Sequence, residues 1–378
     1  MATDPDYAWL RAECEYRMRV ADARYQGREL IPPGDQLYDP QIRWAEADGS
    51  IVLADIGSQP QRGWDPNGGY GAIWRLKDDR LHAIVPPGFH GMTAPIRPEK
   101  APADFGRWGG HIFTIAQAKG GREGAHQAHY VYRIDPADGI PHEFARLPNS
   151  GTIGGGVPAA GMTHQFGRKG TPHEGYLYVS SLGNCTLYRV SPDGVAAPYL
   201  VFDEKLVGRP MMPFLSFYAP DHGQWKPWAG EYIVMTRSTS YFDAHKPEMV
   251  FDYWRLDAGN GKGPSVEKID GITWRPGPIA PSEFGPYAGH MFTVDEGSTN
   301  LLHTTANLVN AKPLPYEGRI MRIAPDGSEH VFADGLQGSS TALAFSGSRL
   351  FISLVRKSYS TGEYHEPDGS IYEIRYAG

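Results

Sequence analysis

Cysteine is scarce: the 378 residues hold two, Cys14 and Cys185, too few for a disulfide framework. Long apolar runs are missing as well. None approaches the roughly 20 residues that cross a bilayer as a helix, so no membrane partner is expected. Positive charge is in deficit, with a formal net charge of -7. A polyanion needs a basic face, which excludes nucleic acid as the main partner. The opening MATDPDYAWLRAECEYRMRV has no apolar stretch of the signal-peptide kind. With the scarce cysteine, this leads us to expect a cytoplasmic protein. Several compact chemistries are absent too. GTIGGGVPAAG, Gly151 to Gly161, lacks the Lys-Ser/Thr of a phosphate loop and reads as a linker. GFHGMTAP has no serine at a nucleophile elbow. No histidine pairs with a cysteine in a way that supports thiolate chemistry.

Turn formers and repeats are abundant. Gly 46 and Pro 32 suit many short strands joined by turns. A tripeptide recurs six times: Trp74-Arg75-Leu76, Tyr132-Arg133-Ile134, Tyr188-Arg189-Val190, Trp254-Arg255-Leu256, Met321-Arg322-Ile323 and Tyr372-Glu373-Ile374. The steps are roughly 50 to 67 residues, the length of a four-stranded propeller blade with its loops. Three copies run into DPADG, SPDG or APDG, where Pro presets φ and Gly accepts a positive φ, so each is a turn. FGRWGGHIFT from Phe105 matches FGPYAGHMFT from Phe284, with weaker copies from Phe166 and His222. Gly91-Met92-Thr93, Gly161-Met162-Thr163 and Gly271-Ile272-Thr273 form a third family.

The order of these repeats gives strands A (Gly-Met/Ile-Thr), B (HIFTIA, YLYVSS, YIVMTR, MFTVDE), C (the tripeptide) and D (HEFARL, APYLVF, EHVFAD). Their alternation is strand-like. The expected fold is all-β, a six-bladed β-propeller with blades at about 40–88, 89–150, 151–206, 207–269, 270–336 and 337–378. The last blade has three strands before the chain ends. The segment before Asp39 is expected to supply its fourth, since an open ring would leave an unpaired edge. Further upstream, Tyr7, Leu10, Cys14, Met18, Ala21 and Tyr25 follow the spacing of an amphipathic helix, started by Asp4-Pro5. The domain reading is therefore 1–38, helix and closing segment, and 39–378, one propeller.

On these residues, and above all on GRIMRIAPDGSEHVFADGLQGSSTALAF from Gly318 to Phe345, the chain resembles the six-bladed propellers that include NHL repeats, the SMP-30/gluconolactonase family and strictosidine-synthase-like proteins. The resemblance covers about 40–378 and implies the fold. It also implies a divalent metal held where inner strands begin, just before a Gly. Here those positions are His90, Ala160 and Asp270, of which Ala160 cannot ligate. The His-rich loops are similar to those of peptidyl-hydroxyglycine lyases, propellers that hold zinc with several His.

Strand direction alternates within a blade, so B–C and D–A loops share one face. The B–C loops are the long ones, and long loops on a rigid scaffold are where sites form. His126, His129, His245, His303 and His365 fall in B–C loops and His90 in a D–A loop. Metal sites need at least three converging ligands. The ligand candidates are His90, His126, His129 and Asp270, with His303 nearby or on the substrate. His126 and His129 also read as plain loop histidines. His111 and His290, in the repeated Gly-His-x-Phe, read as structural. Aligning the ends of the B strands gives Asp55, Gln117, Ser181, Arg237, Asp295 and Arg356. These read either as a salt-bridge network or as a site binding an acidic group and activating water.

The functional expectation is a metal-dependent enzyme acting on a small polar or aromatic molecule. Arg237 and Arg356 would hold an anionic group, Asp295 or Glu296 would be acid and base, and Asp55, Gln117 and His303 would contact substrate. A divalent ion (Zn, Ca, Mn or Fe) would polarise a carbonyl or acidify water. Hydrolysis of a lactone or ester comes first, and a metal-assisted lyase or isomerase step is the alternative. A non-enzymatic protein- or peptide-binding propeller is the competing class, and a quinone-dependent sugar dehydrogenase comes third.

Overall fold

Period-2 alternation and the turn residues divide the chain into short strands, and a computed structural model places them in six four-stranded sheets. It describes residues 18–32, 36–38, 40–55, 57, 71–87, 92–118, 129–147, 161–181, 185–238, 251–259, 263–295, 318–336, 339–355 and 369–378. Two strands come early, Arg19–Val20 (β1) and Tyr25–Ile31 (β2). The first sheet follows, with Pro40–Ala45 (β3), Ile51–Asp55 (β4), Ala72–Lys77 (β5) and Arg80–Val85 (β6). The second has Met92–Lys100 (β7), Ile112–Ala118 (β8), His129–Ile134 (β9) and Pro141–Arg146 (β10). The third has Gly161–Phe166 (β11), Leu177–Ser181 (β12), Thr186–Val190 (β13) and Ala196–Val201 (β14). The fourth has Met211–Tyr218 (β15), Tyr232–Ser238 (β16), Phe251–Asp257 (β17) and Ser265–Ile269 (β18). Each of these four sheets is built from consecutive strands in chain order. The fold is the six-bladed β-propeller that the repeats predict.

The last two sheets differ. Met291–Asp295 (β19), Gly318–Ile323 (β20) and Glu329–Leu336 (β21) take β1 as their fourth strand. Ser339–Ser346 (β22), Arg349–Val355 (β23) and Gly369–Tyr376 (β24) take β2. The expected closing strand is therefore present, as Tyr25 to Ile31 paired antiparallel with β24. The expected inner strand at Gly271-Ile272-Thr273 is not formed. That edge carries a single bridge, Ile279 to Met291. Pro276 and Pro278 explain the loss, because neither can donate to a ladder. The sheet gains its fourth strand on the opposite edge, where Arg19 pairs with Asp334 and donates from Nε and Nη2 to its carboxylate at 2.8 and 3.2 Å.

The predicted helix up to residue 17 lies outside the described residues. Tyr25, assigned to its apolar face, instead opens β2. It is 4% exposed and packs on Phe284, Tyr287, Phe332 and Tyr376. Its hydroxyl donates to the Phe284 carbonyl at 2.6 Å. The 3–4 spacing that suggests a helix thus includes an aromatic anchor for a strand.

Two compact units are present, one of 1–83, 221–227 and 273–378, the other of 84–220 and 228–272. In the first, Phe284, Phe292, Phe332 and Ile352 are among the residues of one apolar cluster, and Leu53, Trp74 and Phe351 of another. In the second, Phe105, Phe113, Phe166 and Tyr188 belong to one cluster, and Tyr178, Tyr232 and Trp254 to another. The repeated peptides have a packing reason. Arg133 lies 4.2 Å over Trp108 and places Nη1 3.1 Å from His111 Nδ1. Arg322 lies 4.3 Å over Tyr287 with Nη1 2.9 Å from His290 Nδ1. His111 and His290 are structural, as read, because each accepts from an arginine stacked on an aromatic ring. Among the described residues no helix is long and apolar enough to cross a membrane.

Candidate functional site

Register defines equivalent positions in the six B strands. The centre of the tripeptide faces Val52, Phe113, Tyr178, Ile233, Phe292 and Phe351. Three residues further along stand Asp55, Ala116, Ser181, Thr236, Asp295 and Leu354. Asp55, Ser181 and Asp295 are therefore equivalent, as aligned. Gln117 and Arg237 stand one residue beyond that level, facing His129 and Phe251. A one-residue offset exchanges the two faces of a strand, so these residues do not form one equivalent set. Equal sequence spacing from a motif misses such an offset.

The inner strands bend near this level. β11 has a bulge between Gly161 and Thr163, β15 between Pro213 and Leu215, and β22 between Ser340 and Ala342. In β7 the register shifts between Thr93 and Ile96 and again before Glu99. In β3 the bulge sits lower, between Ile42 and Trp44. A bulge leaves a residue unpaired and re-aims the strand, and is over-represented beside active sites. Between β7 and β11, Gln165 Nε2 donates to Glu99 Oε1 at 2.9 Å, a polar contact that the sequence patterns do not single out.

Asp55 is the predicted site residue with the best-defined surroundings. It ends β4 and is 3% exposed. Its carboxylate accepts the Tyr38 N–H at 3.1 and 3.3 Å and the Gly57 N–H at 3.4 Å. It thereby fixes the chain on both sides of the strand, a positioning geometry. Asp270 follows β18 directly. Its side chain is 84% exposed and lies 3.7 Å from the Lys268 ammonium, which also reaches Asp252 at 3.0 Å.

The remaining predicted residues are placed by backbone or lie outside the described residues. Asp295 ends β19 opposite Arg319. Arg237 is in β16 and Gln117 in β8. His129 is the first residue of β9 rather than part of the loop before it. His90, His126, Glu296, His303 and Arg356 lie outside the described residues.

Among the described residues no group of three or more His, Cys, Asp or Glu side chains is arranged to hold a metal ion. Asp270, the one proposed ligand whose side chain is described, does not fit a cation site, because an ammonium is its neighbour. Cys185 is buried, and burial together with Asp203 pushes its thiol up to about 11. It stays protonated at neutral pH, which removes thiolate chemistry there.

No protein-family model matches the chain, and no curated protein does. Solved structures do. An α-L-arabinofuranosidase of Fusarium graminearum in complex with arabinobiose is 12% identical, with a TM-score of 0.55 over 93% of this chain and 98% of its own. A gluconolactonase from Xanthomonas campestris is 11% identical, with a TM-score of 0.47 over 95% of each chain. Regucalcin, a calcium-binding protein from Agrobacterium tumefaciens, is 15% identical, with a TM-score of 0.46 over 93% of each. At such identities it is the fold that is shared, and one fold hosts many activities. The chain is a six-bladed β-propeller.

Proposed function

We propose that this propeller is a hydrolase for a small polar molecule, a lactone or ester, bound at the ends of the sheets where the B–C loops leave. The observation that carries this reading is the recurrence of a bulge at one level in β7, β11, β15 and β22. Each bulge gives up ladder pairing at the same register level of its own sheet, close to the point where the B strand leaves for its loop, which is how a scaffold turns side chains toward a ligand.

In the unit that holds the fifth and sixth sheets, Asp295 and Glu296 are the acid and base. Arg356 holds an anionic group, His303 contacts substrate, and Asp55 positions its loop. On the second and fourth sheets, Gln117 and Arg237 provide polar contacts. A divalent ion, where one is bound, falls to His90, His126 and His129. It would supply Lewis-acid polarisation of a carbonyl or a more acidic water.

The test is turnover of a panel of lactones and p-nitrophenyl esters by the purified protein, with metal content measured alongside. Asp295→Asn and Glu296→Gln should melt as the parent does, and at least one should lose about 100-fold or more in kcat, the usual scale of acid–base catalysis. His126→Ala and His129→Ala should lower metal content. Absence of turnover on the whole panel, or full turnover in both carboxylate variants, overturns the hydrolase reading. Unchanged metal content in both histidine variants removes the metal.

A further inference from the structure

Two histidines outside the proposed site occupy equivalent places. His173 lies between β11 and β12, His222 between β15 and β16, and they are 4% and 3% exposed. His222 Nε2 lies 2.8 Å from the Ile323 carbonyl oxygen. His173 is hydrogen-bonded to the backbone of Leu256. Leu256 and Ile323 are the same residue of the repeat, the aliphatic position that closes the tripeptide. Each ring thus docks not on the first tripeptide after it in the chain, which belongs to its own sheet, but on the second.

We propose that His173 is an acid sensor built into the packing of the third and fourth sheets: protonation of its ring on mild acidification loosens that packing, and neutralisation restores it.

The hydrogen bonds suit a neutral ring. Nδ1 lies 3.3 Å from the Tyr178 hydroxyl, and the other side of the ring serves the Leu256 carbonyl. A neutral imidazole has one donor and one acceptor. It donates to the carbonyl and accepts from the phenol, and both needs are met. A second proton turns the Tyr178 contact into two opposed donors, unless the phenol turns to Tyr199, with which it also interacts.

The surroundings offer little to a cation. The ring meets Tyr178 edge-on at 5.3 Å and Tyr232 at 4.9 Å. The titratable groups facing it are the phenols of Tyr178 on β12 and Tyr232 on β16, with Tyr199 on β14 behind Tyr178 and Asp257 beside Leu256 on β17. Burial is the largest effect and holds the His173 pKa below the usual histidine value, although the Leu256 carbonyl and then Asp257 favour the charged ring. The unfolded chain therefore binds this proton more readily. Stability from this site is complete above the usual histidine range, near pH 6.5, and is lost as pH falls through it.

The experiment is thermal unfolding of the full chain between pH 7.5 and 5, compared for the parent, His173→Gln and the exposed-site control His142→Gln. The parent and the control should lose about 2 °C or more over that range, reversibly, and His173→Gln should lose clearly less. Ring-nitrogen NMR of the histidine-labelled parent gives a readout that does not depend on the variant folding. The His173 signal should stay neutral down to the acid transition and become cationic only with it. An equal pH slope in parent and His173→Gln, or a His173 ring that titrates within the intact fold near pH 6.5, overturns the proposal.

Discussion

Glu373 is the one acidic centre among the six tripeptides, and the structure makes it a latch for the closing strand. It lies on β24, 1% exposed. Arg28 of β2 donates to its carboxylate from Nε at 2.5 Å, and Arg349 of β23 donates from Nε to the other oxygen. The same two guanidiniums reach Asp79 at 2.8 and 3.1 Å. Glu373→Gln keeps the volume and removes the charge between two arginines. Breaking a fully buried ion pair costs about 3–5 kcal/mol. Here the arginine side chains are 54% and 29% exposed and keep Asp79, so screening reduces the figure to about 2 kcal/mol. Urea unfolding followed by tryptophan fluorescence measures it, and Arg28→Gln with the double variant completes a cycle. The expected coupling is about 1 kcal/mol. A Glu373→Gln cost within about 0.5 kcal/mol of zero, the usual range for a surface change, would refute the latch, as would strict additivity with Arg28→Gln.

The closing strands and the turns supply further tests. Deleting residues through Ile31 removes the fourth strand from two sheets and exposes the edges of β21 and β24. Cooperative unfolding should be lost and aggregation should appear, whereas deletion through Arg17 keeps every described strand and should retain a single transition by circular dichroism. A native-like melt after the longer deletion would show that β1 and β2 are dispensable. Gly139 and Gly327 both have positive φ, +69° and +90°. A Cβ on Gly139 would sit 2.2 Å from the Ile84 carbonyl oxygen, while one on Gly327 meets nothing within 4 Å. Gly327→Ala should cost about 1 kcal/mol for the left-handed backbone alone, and Gly139→Ala about 3 kcal/mol once the overlap moves backbone. Equal costs in chemical unfolding would show that the close approach is relieved at little expense.

How much was legible in the sequence differs from element to element. Strands B, C and D were readable because period-2 alternation and the Pro-Asp-Gly turns are local signals. The closing strand followed from counting strands in the last blade. Where such signals conflict, a linear reading fails. Gly271-Ile272-Thr273 repeats the strand-A start, yet Pro276 and Pro278 deny the ladder its donors. Tyr25 fits a helical spacing, yet it is held in β2 by aromatic rings brought together from Phe284 to Tyr376.

The sequence by itself determined the six-fold repeat, the all-β class and the equivalence of Asp55, Ser181 and Asp295. Those are set by side-chain type and spacing along one chain. Only the tertiary structure decided the register at the ends of the B strands, which separates Asp55 and Asp295 from Gln117 and Arg237. It alone brought Asp55 to the Tyr38 amide, and buried His173 and His222 against backbone carbonyls. Such outcomes depend on which groups from distant parts of the chain meet and on how little water remains between them, and neither is a property of local spacing.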